Sequence, residues 1–385
     1  MKTCVIFIAP SIGDCGNGPH TYASYLLDAF RNDAKIEFVP CALNEAIRLK
    51  IFRRMAAVIP MVGNYFARRA MQPTISKYEG FCMVHMNDPH SLVGISNRRS
   101  KVLCQINDYE TMDVARDWWK VLRHQGFRRV LTLAIRYYSQ GVNIRSGCIA
   151  ICNSNYTARR LSEEYPSLAR VNIRVITKSV DVEFFRRSVR DFTGPANRGR
   201  RPLVILFVGN NLWLKGFDIV LEAMQQLRAA VVLRVVGATP KSVRRFVDKN
   251  PLPENIRIET LGRVDRVGMR STFWNSDLLL APSRSEAFGV TALEAIASGL
   301  PVISTRVGGV PEALSEFEGC LLIEPNSEEL LNALERVLNG TQVLEVTQRD
   351  LNRIGRFDIA VAIDALRRLY EEQFATAYEK AAVWR

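Results

Sequence analysis

Glu286 and Glu294 stand eight positions apart, one just before and one inside a run of helix formers from Val290 to Ser298. That spacing lets both carboxylates point along one side, toward the mouth of the preceding loop. Phe288, Gly289 and Val290 fall at the helix N-terminus, where unpaired backbone N–H groups and the positive end of the dipole favour an anion. A phosphate fits there. The carboxylates then accept hydrogen bonds from neutral hydroxyls of the same ligand, as a sugar and a ribose offer. The plain alternative is a structural strand–helix unit with capping carboxylates; the motif and its predicted context together favour the chemical reading.

The elements that must hold these groups are legible around them. Asp277 to Ala281 is a short apolar run meeting Pro282 and Ser283, as a buried parallel strand ends in a loop. Gly299 and Pro301 stop the helix, and Pro301 to Thr305 is a second buried strand. Leu203 to Val208 predicts another strand, followed by the loop Gly209-Asn210-Asn211-Leu212-Trp213-Leu214-Lys215-Gly216 and a helix near Phe217. Strands ending at Val236 and Leu261 follow, the latter at Gly262-Arg263-Val264, and Val307 to Glu312 closes the site from below. In the first half, Thr3 to Ala9 is a strand, Pro10 to His20 a turn-rich loop carrying Gly16 and Gly18, and Thr21 to Arg31 a helix. Strands ending at Met86 and Ile106 lead into Asn87-Asp88-Pro89-His90 and Asn107-Asp108-Tyr109-Glu110. In a parallel sheet both open on the carboxyl-end crevice.

A chain of 385 residues suggests two domains of similar size, and 48% hydrophobic with 24% charged residues is a globular composition. The eight cysteines lie mostly in strand-like runs without a Cys-x2-Cys pair, so they read as reduced core residues of an intracellular protein. No apolar run is long enough to span a bilayer, and Met1 to Pro10 already reads as strand, with no leader ahead of it. The formal charge of +13 is one-sided: residues 1–190 carry 28 Lys and Arg against 15 Asp and Glu, and residues 191–385 carry 24 against 24. Such asymmetry points to an anionic partner for the first half. Segment 45–71 is basic and apolar without a clean helical face. Segment 114–125 is cleaner, with Arg116, Lys120, Arg123 and His124 on one face and Trp118, Trp119, Val121 and Leu122 on the other. That pattern suits a membrane-surface helix with an aromatic anchor, or else an ordinary half-buried helix with a solvated basic face.

The stretch Ala281 to Glu312, with its Glu-x7-Glu spacing and Gly-Leu-Pro-Val strand entry, resembles retaining glycosyltransferase family 4. Lys178-Ser179-Val180-Asp181 resembles that family's crossing between domains, with Lys-Ser in place of Asn-Gly. The resemblance implies an α/β, GT-B fold: two Rossmann-like doubly wound parallel-sheet domains facing a central cleft. The expected divisions are 1–185, an acceptor-side domain; 186–202, an Arg-rich linker; 203–357, a nucleotide-sugar donor domain; and 358–385, a helix packing back on the first domain. It implies a sugar moved from a nucleotide diphosphate sugar, a UDP- or GDP-sugar, to a glycan, lipid-linked or small-molecule hydroxyl with retained configuration. Glu286 then holds the sugar hydroxyls, Glu294 the ribose, Lys215 the distal phosphate, and Gly16 and Gly18 the diphosphate from the first domain. Arg263 joins the base-contacting loop. Two departures stand out: Asn107, beside Asp108, replaces a histidine, and Asn210 replaces an arginine, which halves the charge unless Arg263 or Arg284 turns inward. No Asp-x-Asp pair occurs, so no metal and no cofactor are expected. The implied partners are the donor, the acceptor and an anionic membrane surface, not nucleic acid; the implied setting is cytoplasmic, with a peripheral seat on the membrane left open. Two alternatives are a non-catalytic nucleotide-sugar-binding GT-B protein and a GT-B epimerase or hydrolase.

Overall fold

The structure, a computed structural model, describes residues 3–9, 18–42, 45, 47, 60–77, 82–87, 100–107, 110–145, 148–166, 173–186 and 201–383. It divides into two compact units, Met1–Thr177 with Ala362–Arg385, and Lys178–Val361. Most of the Arg-rich segment expected as a linker, residues 187–200, lies outside the described residues, as does most of 45–59.

The first unit runs β1 Thr3–Ala9, α1 Gly18–Phe30, β2 Ile36–Ala42, α2 Pro60–Lys77, β3 Cys82–Met86 and β4 Ser100–Ile106. It continues with α3 Glu110–Gln125, α4 Phe127–Arg145, β5 Ile149–Cys152, α5 Asn155–Glu164 and β6 Ile173–Val175. The strands pair in parallel in the order β2-β1-β3-β4-β5-β6. A parallel sheet covered on both faces demands continuous apolar strands, and β1, β3 and β5 bury nearly every residue. Cys4, Cys41, Cys82, Cys104, Cys148 and Cys152 are among those buried residues, each a free thiol.

The second unit runs α6 Val182–Phe185, β7 Leu203–Val208, α7 Phe217–Gln226, β8 Val231–Val236, α8 Pro240–Val247, β9 Ile256–Gly262 and α9 Arg266–Trp274. Then come β10 Leu278–Ala281, α10 Val290–Ala297, β11 Val302–Thr305, α11 Val310–Leu314, β12 Cys320–Ile323, α12 Ser327–Leu338 and α13 Gln348–Arg353. Its strands are parallel in the order β12-β11-β10-β7-β8-β9, so the winding direction reverses between β7 and β10. Alternate side chains feed two cores: Phe207 enters one with Phe217, Val235 and Leu334, and its neighbour Leu206 enters the other with Phe273, Phe288, Ile296 and Phe357.

The last helix, α14 Ile359–Val383, starts in the second unit and continues from Ala362 as part of the first. Tyr370 is fully buried there, and its hydroxyl shares a 2.6 Å hydrogen bond with His85 Nδ1 of β3. Arg367 pairs with Asp33, whose other carboxylate oxygen accepts from the Lys35 and Ile36 amides at 2.8 Å each.

Candidate functional site

Loops leaving β7 and β10 diverge at the point where the winding reverses, and a crevice opens there at the carboxyl ends of the strands. Into it the β7 loop sends Lys215, and the β10 loop sends Glu286. Their side chains form an ion pair at a cavity lined also by Ser283, Gly289, Thr291 and Ser304. Two residues 71 positions apart are thus brought together by strand order.

Hydrogen bonds clamp the two loops together. The Arg284 amide donates to Leu214 O at 2.8 Å. The Arg284 guanidinium donates to Trp213 O at 2.7 Å and grips Asp218 with two bonds of 2.7 and 2.8 Å. Such a paired fork fixes orientation as well as charge. Gly216 adopts φ +74° with its α-hydrogen side against the Pro282 carbonyl; a Cβ there would lie 2.0 Å from that oxygen. No other residue lets the loops approach this closely.

Gly289, at φ +95°, caps α10 without a side chain, and Gly309 N donates to Glu286 O at 3.1 Å, fixing the loop from below. The amides of Phe288 and Gly289 donate to the Glu286 carboxylate. The sequence predicts a phosphate at this helix N-terminus, where the Glu286 carboxylate also accepts from two amides. Burial by itself raises this carboxyl's pKa. The Lys215 ammonium and the two amides outweigh it and hold Glu286 below the usual carboxylate range. Glu294, about one turn into α10, behaves oppositely: burial pushes it up to about 7, and Arg266 only partly offsets that.

Arg266 opens α9, pairs with Asp181 and lies 3.7 Å over the Phe184 ring. Asp181 also caps α6 by accepting from Phe184 N at 3.0 Å. Sequence reasoning singled out neither Arg266 nor the Arg284–Asp218 clamp. Asp218 sits in the first turn of α7 and Arg266 directly after a capping Asp265, signals that mark helix starts but not partners 66 or 85 positions away.

The remaining predicted residues divide clearly. Phe288 is buried in the core, and Val290 packs against that core from the helix start. Asn210 and Arg263 are exposed, and Arg284, committed to Asp218, does not add its charge to Lys215. In the first unit Gly18 begins α1, while Gly16 and Asp108 lie outside the described residues. Asn107 donates to the Asn87 carbonyl and its own carbonyl accepts from Asn153 at 2.8 Å, so it ties three strand ends together. Among the described residues no group of three or more His, Cys, Asp or Glu is placed to hold a metal ion.

Two parallel six-stranded sheets with flanking helices, both doubly wound, define the GT-B class of glycosyltransferase folds. The second unit goes further: a family model described as Glycosyl transferases group 1 matches residues 202–340. The chain is 29% identical over 239 residues to an "Uncharacterized glycosyltransferase MJ1178" of Methanocaldococcus jannaschii, covering 62% of this chain and 63% of that one. For two further curated relatives the aligned part is 41% and 53% of their length, so the chain spans about half of the curated relatives it matches. Among solved structures it resembles a sucrose-phosphate synthase from Thermosynechococcus elongatus, with a TM-score of 0.72 and 17% identity over 97% of this chain and 100% of that one. It also resembles Anabaena HepE in complex with UDP and glucose, with a TM-score of 0.63 and 15% identity over 96% of this chain and 100% of that one. At these identities the structures speak to fold.

Proposed function

We propose that the chain is a retaining glycosyltransferase that moves a sugar from a UDP- or GDP-sugar to a hydroxyl of a glycan or lipid-linked acceptor. The observation carrying this reading is the Lys215–Glu286 pair at the winding reversal, inside the segment that matches the group 1 family. HepE, whose structure was solved in complex with UDP and glucose, favours a uridine donor among the two.

On this reading the donor enters by exchange. Its diphosphate takes Lys215 from Glu286, and the released carboxylate accepts hydrogen bonds from sugar hydroxyls. Glu294 accepts from the ribose. The bond between the anomeric carbon and the phosphate oxygen breaks, and the acceptor oxygen bonds to that carbon on the same face. The acceptor's proton passes to the leaving phosphate oxygen, so no covalent nucleophile is required. Lys215 and the α10 N-terminus offset the growing phosphate charge, work that a preorganised group does without reorganising solvent.

A thermal-shift panel with UDP, GDP and ADP tests the site first. A nucleotide at a hundredfold excess over its Kd adds about 2.7 kcal/mol of stability. We expect a shift with UDP that Lys215→Ala removes, and sugar transfer from the matching donor reduced by roughly 10²–10³ in that variant. No shift with any nucleotide overturns the assignment.

A further inference from the structure

Helices α3 and α4 carry an exposed face that the donor site does not use. A single residue, Gly126 at φ +82°, joins them, and Val121, Val130 and Leu133 pack at their contact. What they leave outside is unusual. Trp118 is 53% exposed, Trp119 49%, Phe127 69% and Tyr138 66%, with Leu122 and Leu131 also open. Phe127, Leu131, Ala134 and Tyr138 are all exposed and follow one another by four, three and four positions, which places them in one stripe along α4. Ordinary half-buried helices turn such a stripe inward. Here the aromatic residues predicted for the 114–125 segment stay outside, and only Val121 of that set is buried.

From Trp118 onward the charges of the hairpin have one sign, the acidic residues of α3, Glu110, Asp113 and Asp117, all preceding it. From Trp118 to Arg145 the chain has six Lys and Arg and no Asp or Glu. Lys120, Arg123, His124 and Arg128 are exposed beside the apolar side chains, and the Lys120 ammonium lies 5.4 Å over the Trp119 ring. We propose that the exposed face of the α3–α4 hairpin docks on an anionic lipid bilayer, with Trp118, Trp119, Phe127 and Tyr138 seated among the headgroups. Tryptophan and tyrosine suit that boundary because one end of each ring system is apolar and the other polar. Lys and Arg beside them reach anionic headgroups while their stems cover apolar surface. A second copy of the chain is a poorer occupant, since a two-fold contact would set the exposed Lys120, Arg123 and Arg128 against their own copies. No described helix is long and apolar enough to cross a membrane, so the hairpin lies on the surface.

Co-sedimentation of the full chain with phosphatidylcholine vesicles, and with vesicles that also contain phosphatidylglycerol, tests this. Binding to the anionic vesicles, weakened by salt, is expected, with at least tenfold loss in Trp118→Ser/Trp119→Ser and in Arg123→Glu/Arg128→Glu. Both variants lie in the first unit and the donor loops in the second, and an unchanged melting temperature establishes that the variants are folded. Equal sedimentation by wild type and folded variants, or none by the wild type, overturns the proposal. So does a dimer in solution that Trp118→Ser/Trp119→Ser dissociates without any vesicle binding, which would assign the face to a second copy.

Discussion

Lys215 and Glu286 neutralise one another at the crevice between the β7 and β10 loops. The Glu286 carboxylate answers both the Lys215 ammonium and the amides of Phe288 and Gly289, so these buried polar groups satisfy one another. Glu294 is the site's unresolved tension. Its folded pKa, about 7, lies above the ordinary carboxylate value. The folded state therefore binds a proton that the unfolded state releases, and stability falls as pH rises from about 4.5 through 7. Glu294→Gln removes this penalty. Its melting temperature should exceed that of the wild type at pH 8, with the gap narrowing toward pH 5, while UDP binding weakens. Thermal scans across pH with and without nucleotide check both halves; a variant less stable at pH 8 would contradict the assignment.

At the scale of elements, α14 is tied to the first sheet by several polar contacts, of which Tyr370–His85 is the one buried inside an apolar layer. His85 is fully buried, and burial drives its pKa down to about 3. Because the unfolded imidazole takes a proton below about 6.5, stability should decline as pH falls from there toward 3. Tyr370→Phe keeps the ring, whose centroid lies 5.7 Å from that of Phe30, but removes the hydroxyl shared with His85. Leaving that nitrogen without its partner costs about 1–3 kcal/mol. Urea unfolding at neutral pH measures the loss, and a change below about 0.5 kcal/mol would show that the contact is incidental. The Arg284–Asp218 clamp works at the same scale in the other unit, joining two loops so that the lysine and the carboxylate meet.

Across the whole molecule, every group assigned to the donor by geometry lies in Lys178–Val361. Amide hydrogen exchange on the full chain should therefore show UDP protection concentrated at residues 209–216 and 282–294, with β1 and β3 of the first unit unchanged. Protection that instead appeared mainly in the first unit would relocate the nucleotide. The basic excess lies in the other half, where the sequence places 28 Lys and Arg against 15 Asp and Glu in residues 1–190. The groups proposed for the donor and the face proposed for the bilayer thus lie in different parts of the chain.

Local pattern alone determined much of this protein. Continuous apolar runs bounded by glycine and proline marked the parallel strands, because such strands are covered on both faces. Glu286, Gly289 and Glu294 were legible as a set because eight positions hold all three, at the end of one loop and the start of the helix after it. Lys215 was legible as a loop cation, and the aromatic and basic residues of 114–125 as a candidate surface. Tertiary structure decided what those groups touch. Sequence spacing says nothing about two loops that meet because β10 pairs beside β7, so the Lys215–Glu286 pair, the Arg284–Asp218 clamp and the Asp181–Arg266 pair appeared only with the fold. Burial likewise belongs to the folded state. A helical wheel could not choose between the inward and outward faces of α3, and the same residue type, glutamate, is held charged at 286 and pushed toward neutrality at 294 because their surroundings differ.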